Sequence, residues 1–384
     1  MLLIRNAHLK TIATEDIERG DILIDGGKII AIGTDIDAPD GAEIFEAEGL
    51  LATPGLVDAH THIGVDEEAI RWEGADYNER SNPVTPHMRA IDGINPQDEA
   101  FQLALGGGVT CAVTGPGSAN VIGGTFCALK LRGKCVDDMI VRSPVAMKAA
   151  FGENPKGCYG QQGAKEPVTR MAVAALLRDT LARTLRYAKE KEEAQRDGKV
   201  PPFDIKLEAM LPVVRGEIPL KCHAHRADDM LTAIRIAEEF GIRITLDHCT
   251  DGHLIPEILA RKGFPVLVGP SLGNKSKFEL KNKTFATPGI LYAHGLEVCI
   301  ITDAPVIPLY YLPLCAGLAV REGLPEDAAW RAITINPAKV AGIDSRVGSL
   351  EVGKDADIAL FDHNPLTCLQ ARAVAVFVDG ERAV

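Results

Sequence analysis

Long apolar runs are missing from this 384-residue chain. No stretch approaches the ~18 uninterrupted apolar residues that a membrane span needs, so no membrane contact is expected. The start, Met1-Leu2-Leu3-Ile4-Arg5-Asn6, lacks a basic segment leading into an apolar stretch and does not read as a secretory signal. Basic residues are in deficit: 41 Lys and Arg face 53 Asp and Glu, a net charge of −12. Such a chain repels phosphate backbones, so no nucleic-acid partner is expected. Cys-x-x-Cys is absent, and the nine cysteines are scattered, which excludes a zinc ribbon and a dithiol redox motif. Cys111, Cys127 and Cys299 sit inside apolar runs, where a reduced thiol behaves as a small hydrophobe. That usage points to a reducing compartment, and the cytoplasm is the expected location. A Gly-x-Gly-x-x-Gly opening a helix is also missing, which lowers a nucleotide-binding reading. Gly106-Gly107-Gly108 precedes a strand and reads as a turn.

What is present is ample core. Hydrophobic residues make up 46% and the mean hydropathy is +0.04, values that argue against disorder. Length suggests about two domains, or one large domain with additions. Both ends read as short strands. Asp21–Asp25 and Lys28–Gly33 flank Gly26-Gly27, a hairpin signal, while 357–362 and 374–379 are β-rich near the other end. Neither piece can bury a core alone, so residues 1–52 and 345–384 are expected to pair into one small β domain. Between them, apolar strands alternate with helical stretches such as 169–195, 228–240 and 325–334. The charge run 189–193 reads as a solvated helix face. The fold class expected for 53–344 is α/β, as a closed (β/α)8 barrel or an open doubly wound sheet.

Groups able to bind metal recur at the C-terminal ends of these strands. One ends Asp58-Ala59-His60-Thr61-His62, and side chains at i and i+2 of extended backbone share a side. Others end Lys221-Cys222-His223-Ala224-His225, Leu246-Asp247-His248 and Thr302-Asp303-Ala304-Pro305. A single such histidine is usually an ordinary hydrogen-bonded residue. The ordered recurrence at successive strand ends points to one shared metal site, because a barrel gathers those ends at one mouth. Imidazole and carboxylate ligands suit zinc first, then manganese or ferrous iron. Cys222 and Cys249 alternate away from the ligands and read as packing residues.

The chain resembles the amidohydrolase superfamily, in its imidazolonepropionase-related and dipeptidase-like branch. The resemblance rests on Ala52-Thr53-Pro54-Gly55-Leu56-Val57-Asp58-Ala59-His60-Thr61-His62, on Asn336-Pro337-Ala338 and on Gly348-Ser349-Leu350-Glu351-Val352-Gly353-Lys354-Asp355-Ala356-Asp357. It implies a distorted (β/α)8 TIM barrel with a small β-sandwich domain built from both termini. It implies His60, His62, His223, His248 and Asp303 as metal ligands. In Met147–Asn154 it implies Lys148, carboxylated by carbon dioxide, or else Glu153, as a bridge between two ions; without a bridge the site holds one.

In the chemistry this implies, the metal activates water and polarises a carbonyl, and Asp303 relays the proton to the departing nitrogen. His225 and His253 are candidates to stabilise the oxyanion. Deaminases of the family carry a glutamate three residues after the fifth-strand histidine; here that position is Arg226, which argues against that chemistry. Arg226 could instead grip a substrate carboxylate or simply pair with Asp228 or Asp229. Three loops are candidate pocket rims: Gly152–Glu166 with Lys156 and Tyr159, Asp66–Met88 with Trp72, Tyr77 and His87, and Asn274–Lys277. The expected function is hydrolysis of a C–N bond, amide or cyclic amide, in a small carboxylate-bearing molecule. The alternatives are a metal-dependent deaminase of a heterocycle and a non-catalytic scaffold. A small-molecule substrate is the expected partner, and assembly as a homo-oligomer stays open.

Overall fold

The computed structural model describes residues 1–161 and 166–384. Within them lie the strands β1 (Leu2–Leu9), β2 (Ile17–Asp25), β3 (Lys28–Gly33), β4 (Glu43–Glu46), β5 (Leu51–Pro54), β6 (Leu56–Thr61), β7 (Val109–Thr114), β8 (Ile122–Lys130), β9 (Ile140–Ala150), β10 (Leu220–Ala224), β11 (Ile244–His248), β12 (Val266–Val268), β13 (Val298–Ile300), β14 (Ile358–Phe361), β15 (Ala373–Val378) and β16 (Glu381–Arg382).

The chain ends do pair. One sheet runs β16-β15-β14-β5-β1-β2-β3, with β4 added to β1. Gly26 and Gly27 take φ of 54° and 78°, the left-handed pair that closes the β2–β3 hairpin. The sheet folds over its own apolar face, so that Phe45 of β4 meets Phe377 of β15 edge to face at 5.7 Å. Leu2, Ile4, Ile22, Ile24, Ile358 and Leu360 fill the space between. The continuous run 51–60 is broken at Gly55. β5 pairs with β1 and β14, whereas β6 pairs with β7. Gly55 is the crossing point because a Cβ there would stand 2.0 Å from Thr110 Oγ1.

The second sheet runs β6-β7-β8-β9-β10-β11-β12-β13 and curls into a barrel. Its strands are buried at nearly every position, which is why they read as unbroken apolar runs rather than alternations. The barrel departs from a regular (β/α)8 pattern on one side. β8 lies antiparallel to both β7 and β9. A turn of residues 115–121 joins β7 to β8 there in place of a crossover helix. From β9 to β13 the pairing is parallel throughout. Helices Arg170–Arg196, Ala227–Phe240, Pro256–Lys262, Thr287–Ala293 and Leu312–Arg321 cover the outside. Thr169 caps the longest by accepting from Ala172 N at 3.1 Å.

The seam between β6 and β13 is closed by a side chain. Asp58 Oδ2 accepts from Thr302 N at 2.8 Å and from Thr302 Oγ1 at 2.7 Å, while its Oδ1 accepts from His60 N at 2.9 Å. His62 N adds a bond to Ala304 O at 2.7 Å. Burial pushes the Asp58 carboxyl up to about 7. Among the described residues, no helix is long and apolar enough to cross a membrane.

Candidate metal centre

The ends of β6, β9, β10, β11 and β13 converge on one mouth of the barrel. Along β10, Lys221, His223 and His225 share one parity, so the strand presents a lysine below two imidazoles. β11 behaves differently. Asp247 and His248 are neighbours, yet both face the interior, because His248 and Cys249 have φ of 78° and 46°. That left-handed backbone interrupts the alternation. Asp303, with φ of 56°, turns inward by the same means. Strained backbone of this kind collects at functional sites.

Two groups of ligand atoms result. His60, His62 and Asp303 form one; His223, His225 and His248 form the other, with all ligand atoms in each group within 4.8 Å of one another. His62 Nε2 lies 3.2 Å and His60 Nε2 3.5 Å from Asp303 Oδ1. The rings of His60 and His248 are 5.0 Å apart and link the groups. Lys148 is fully buried, with Nζ 3.2 Å from His60 Nε2.

Each imidazole is held through Nδ1. His60 Nδ1 meets Asp247 Oδ2 at 2.5 Å, His62 Nδ1 meets Gly115 O at 2.7 Å, and His248 Nδ1 meets Gly269 O at 2.7 Å. Ser118 Oγ lies 2.9 Å from His223 Nδ1 and Thr250 Oγ1 2.8 Å from His225 Nδ1. Acceptors on Nδ1 put the proton there for His60, His62 and His248 and free Nε2 as a ligand, the arrangement that metal-binding histidines share. The Nε2 atoms of His223 and His248 and Oδ1 of Asp303 are buried with no hydrogen-bond partner. Orphaned atoms facing one another this closely fit a bound dication, which would satisfy all of them.

Electrostatics agree. Burial holds the imidazoles of His60, His223 and His225 far below their ordinary range and lowers His248 as well, keeping them in the neutral form that binds metal. Burial would raise Asp303, but His248, His62 and His60 outweigh it and hold the carboxylate below its usual range. Burial brings Lys148 down to about 8, toward the free amine that carboxylation requires. Lys221 differs: its Nζ sits 2.9 Å from Asp247 Oδ2.

Above these groups lies a cavity of about 670 Å³. His62, His223, His225 and Asp303 form its floor, and all three expected rims contribute: Asp66, Tyr77 and Arg80 from one, Asn154 and Cys158 from another, Asn274, Ser276 and Lys277 from the third. Within Gly152–Glu166, residues 162–165 lie outside the described residues. Other sequence candidates are not brought to this cavity. Arg226 forms a two-pronged pair with Asp228, 2.8 Å on each prong. Tyr159 turns inward and donates to Asn120 Oδ1 at 2.5 Å. His253 Nδ1 engages Thr287 Oγ1 at 3.0 Å, and neither His253 nor Lys156 lines the cavity. Glu153 is absent from both ligand groups; its Oε2 faces Glu279 N at 3.4 Å. Lys148 thus stands nearer the ligands than Glu153 does.

Sequence reasoning missed Asp247, Ser118 and Glu279. Asp247 stands beside His248 in the sequence, but the alternation of a regular strand would turn it outward. Ser118 lies in the β7–β8 turn, where no motif marks it.

The fold is that of an α/β-barrel protein, with two groups at its strand ends that could hold a metal ion. The amidohydrolase family profile matches residues 51–383, and the chain belongs to that family, whose members hydrolyse carbon–nitrogen bonds. The crystal structure of an amidohydrolase from Thermotoga maritima MSB8 superimposes with a TM-score of 0.97 at 42% identity, covering 100% of both chains. Amidohydrolase tasK of Hapsidospora irregularis is 32% identical over 94% of this chain. This chain spans only 39% of that relative's length. An imidazolonepropionase of Streptococcus pyogenes is 26% identical over 90% of this chain and 84% of its own.

Proposed function

We propose that the chain is a metal-dependent hydrolase of an amide or cyclic-amide C–N bond in a small, carboxylate-bearing substrate. The observation that carries this reading is the pairing of orphaned, neutral imidazole nitrogens with the Asp303 carboxylate on the floor of one cavity. His60, His62 and Asp303 would hold one ion, His223 and His248 a second, with zinc the leading candidate and carboxylated Lys148 the bridge. When bound, the metal supplies Lewis acidity, lowering the pKa of water toward about 7 and polarising a carbonyl.

The chain's own groups do the rest. Asp303 takes a proton from the attacking water and returns it to the leaving nitrogen. His225 lies in a ligand group with His223 and His248, which favours a ligand role over that of a separate oxyanion donor. Arg80 lines the cavity and has no carboxylate partner among the described residues. It replaces Arg226 as the candidate to receive a substrate carboxylate, as a charge-assisted pair. Lys283 also lines the cavity. The catalytic unit is taken as 53–344, carried by the composite domain 1–52 plus 345–384, in the cytoplasm.

The test is metal analysis of protein purified without added metal, followed by a screen of N-acyl amino acids, dipeptides and cyclic amides. Near-stoichiometric metal with ring opening or amide cleavage is expected. Less than about a tenth of an ion per chain, with no activity on reconstitution, would favour a scaffold; ammonia release from heterocycles without ring opening would favour a deaminase.

A further inference from the structure

The loop after β12 brings a carboxylate to the second histidine group. Glu279 is 2% exposed. Its Oε2 accepts from Glu153 N at 3.0 Å. Its Oε1 lies 3.8 Å from His223 Nε2 and 3.8 Å from His225 Nε2. These separations are too long for hydrogen bonds. Glu279 stands outside the group of His223, His225 and His248 whose ligand atoms all lie within 4.8 Å of one another, but its distances to two of the three suit atoms that share an ion, since ligands about 2.1 Å from one zinc stand roughly 3–4 Å apart. The Nε2 atoms of His223 and His248 are buried without a hydrogen-bond partner.

The surroundings hold this carboxylate in place. Lys277 Nζ lies 2.8 Å from the same Oε1 and donates to Asn154 Oδ1 at 2.8 Å. Ligating carboxylates are themselves commonly fixed by such partners. Gly152, with φ of 79°, lets the exit of β9 pack against it; a Cβ there would stand 2.7 Å from Glu279 Oε2.

We propose that Glu279 is a ligand of the second divalent ion, together with His223, His225 and His248. The inference rests on the metal-dependent reading above. It adds His225 and a carboxylate from outside the barrel strands to that ion's partners. Three imidazoles and one carboxylate suit zinc, manganese or ferrous iron.

The experiment titrates metal-stripped full-length protein with Co²⁺, following d–d absorption and counting ions by elemental analysis after gel filtration. Wild type is expected to take up two ions. Glu279→Gln keeps an oxygen for Glu153 N but replaces the ligand charge, and its second ion should bind at least about 10-fold more weakly with an altered spectrum. His225→Gln should reproduce that loss from a different element, and serves where Glu279→Gln fails to fold. His60→Asn should remove the other ion instead. Folding is checked by the melting of the metal-free proteins. Folded Glu279→Gln and His225→Gln that both bind ions with wild-type number, affinity and spectrum would overturn the proposal and leave the metal-dependent reading standing. A wild type that binds no ion would overturn both.

Discussion

Lys130 at the end of β8 is the most informative perturbation of the fold. Its ammonium is buried at 2.8 Å from Asp355, 2.8 Å from Asp357 and 2.6 Å from Asp379. Burial alone would depress its pKa, but Asp357, Asp355 and Asp379 outweigh burial and hold it above the ordinary range. Asp355 keeps Lys28 and Arg346 if Lys130 is lost. Asp357 is left without a cation. Removing one partner of a buried pair costs about 3–5 kcal/mol. At ~2.1 cal/mol/K per residue, unfolding entropy for 384 residues is about 0.8 kcal/mol/K, so Lys130→Met should lower the melting midpoint by ~4–6 °C. The penalty should depend on pH. Burial already raises Asp357 to about 6, against 3.8 when free, with Lys130 pulling it down. A raised carboxyl loses folded-state stability as pH climbs from 3.8 through the folded value. Without Lys130 that loss deepens and extends to higher pH, so the mutant deficit should be larger at pH ~7.5 than at pH ~5. Melting curves of both proteins at the two pH values test this. A midpoint within about 1 °C of wild type, or an equal deficit at both pH values, would refute the reasoning.

Other outcomes follow from the site. Asp303→Asn should cut kcat by roughly 10²–10⁴-fold while the fold persists by circular dichroism; near-wild-type turnover would remove Asp303 from proton transfer. Asp247→Asn should weaken metal affinity by about 10–100-fold, read by competition with a chelator, because His60 Nδ1 loses its ionised acceptor. Arg80→Ala should raise KM for an anionic substrate by ~10-fold or more, whereas Arg226→Ala should leave it within about twofold, its guanidinium being spent on Asp228.

Much of this was legible because burial writes itself into sequence. The strands of the barrel, the i and i+2 histidines of β6 and β10, and the pairing of the chain ends follow from apolar runs and turn glycines. The exit segment 348–357 gains a physical reading: Asp355 and Asp357 are the carboxylates that anchor Lys130, and with it the barrel, to the terminal sheet. Three kinds of feature were hidden. Left-handed backbone at His248 and Asp303 redirects side chains, and non-glycine residues give no advance sign of it. The reversal of β8 depends on pairing partners, not on its own composition. Long-range contacts decide which polar loop residues face the cavity, so Arg226 and Arg80 could not be told apart by charge.

The reversed strand explains why the mouth is so tightly organised. In a regular βα unit the chain leaves the mouth through a helix, and only one short loop remains near the ligands. Here β7 turns back at once as β8, so the tip 115–121 stays on the ligand layer. Gly115 O fixes His62, and Ser118 fixes His223, on strands across the barrel from each other. The same tip reaches outward. Ala119 N donates to Asn78 Oδ1 at 2.9 Å, and Asn120 Nδ2 donates to Glu79 O and to Thr85 Oγ1, each at 2.7 Å. Asn120 Oδ1 receives Tyr159 from the other rim. One seven-residue turn therefore sets the orientation of a histidine in each of the two groups and the position of both loops over the cavity. Displacing either loop must work against the bonds that orient the histidines, which couples the position of the rims to the geometry of the two histidine-bearing groups.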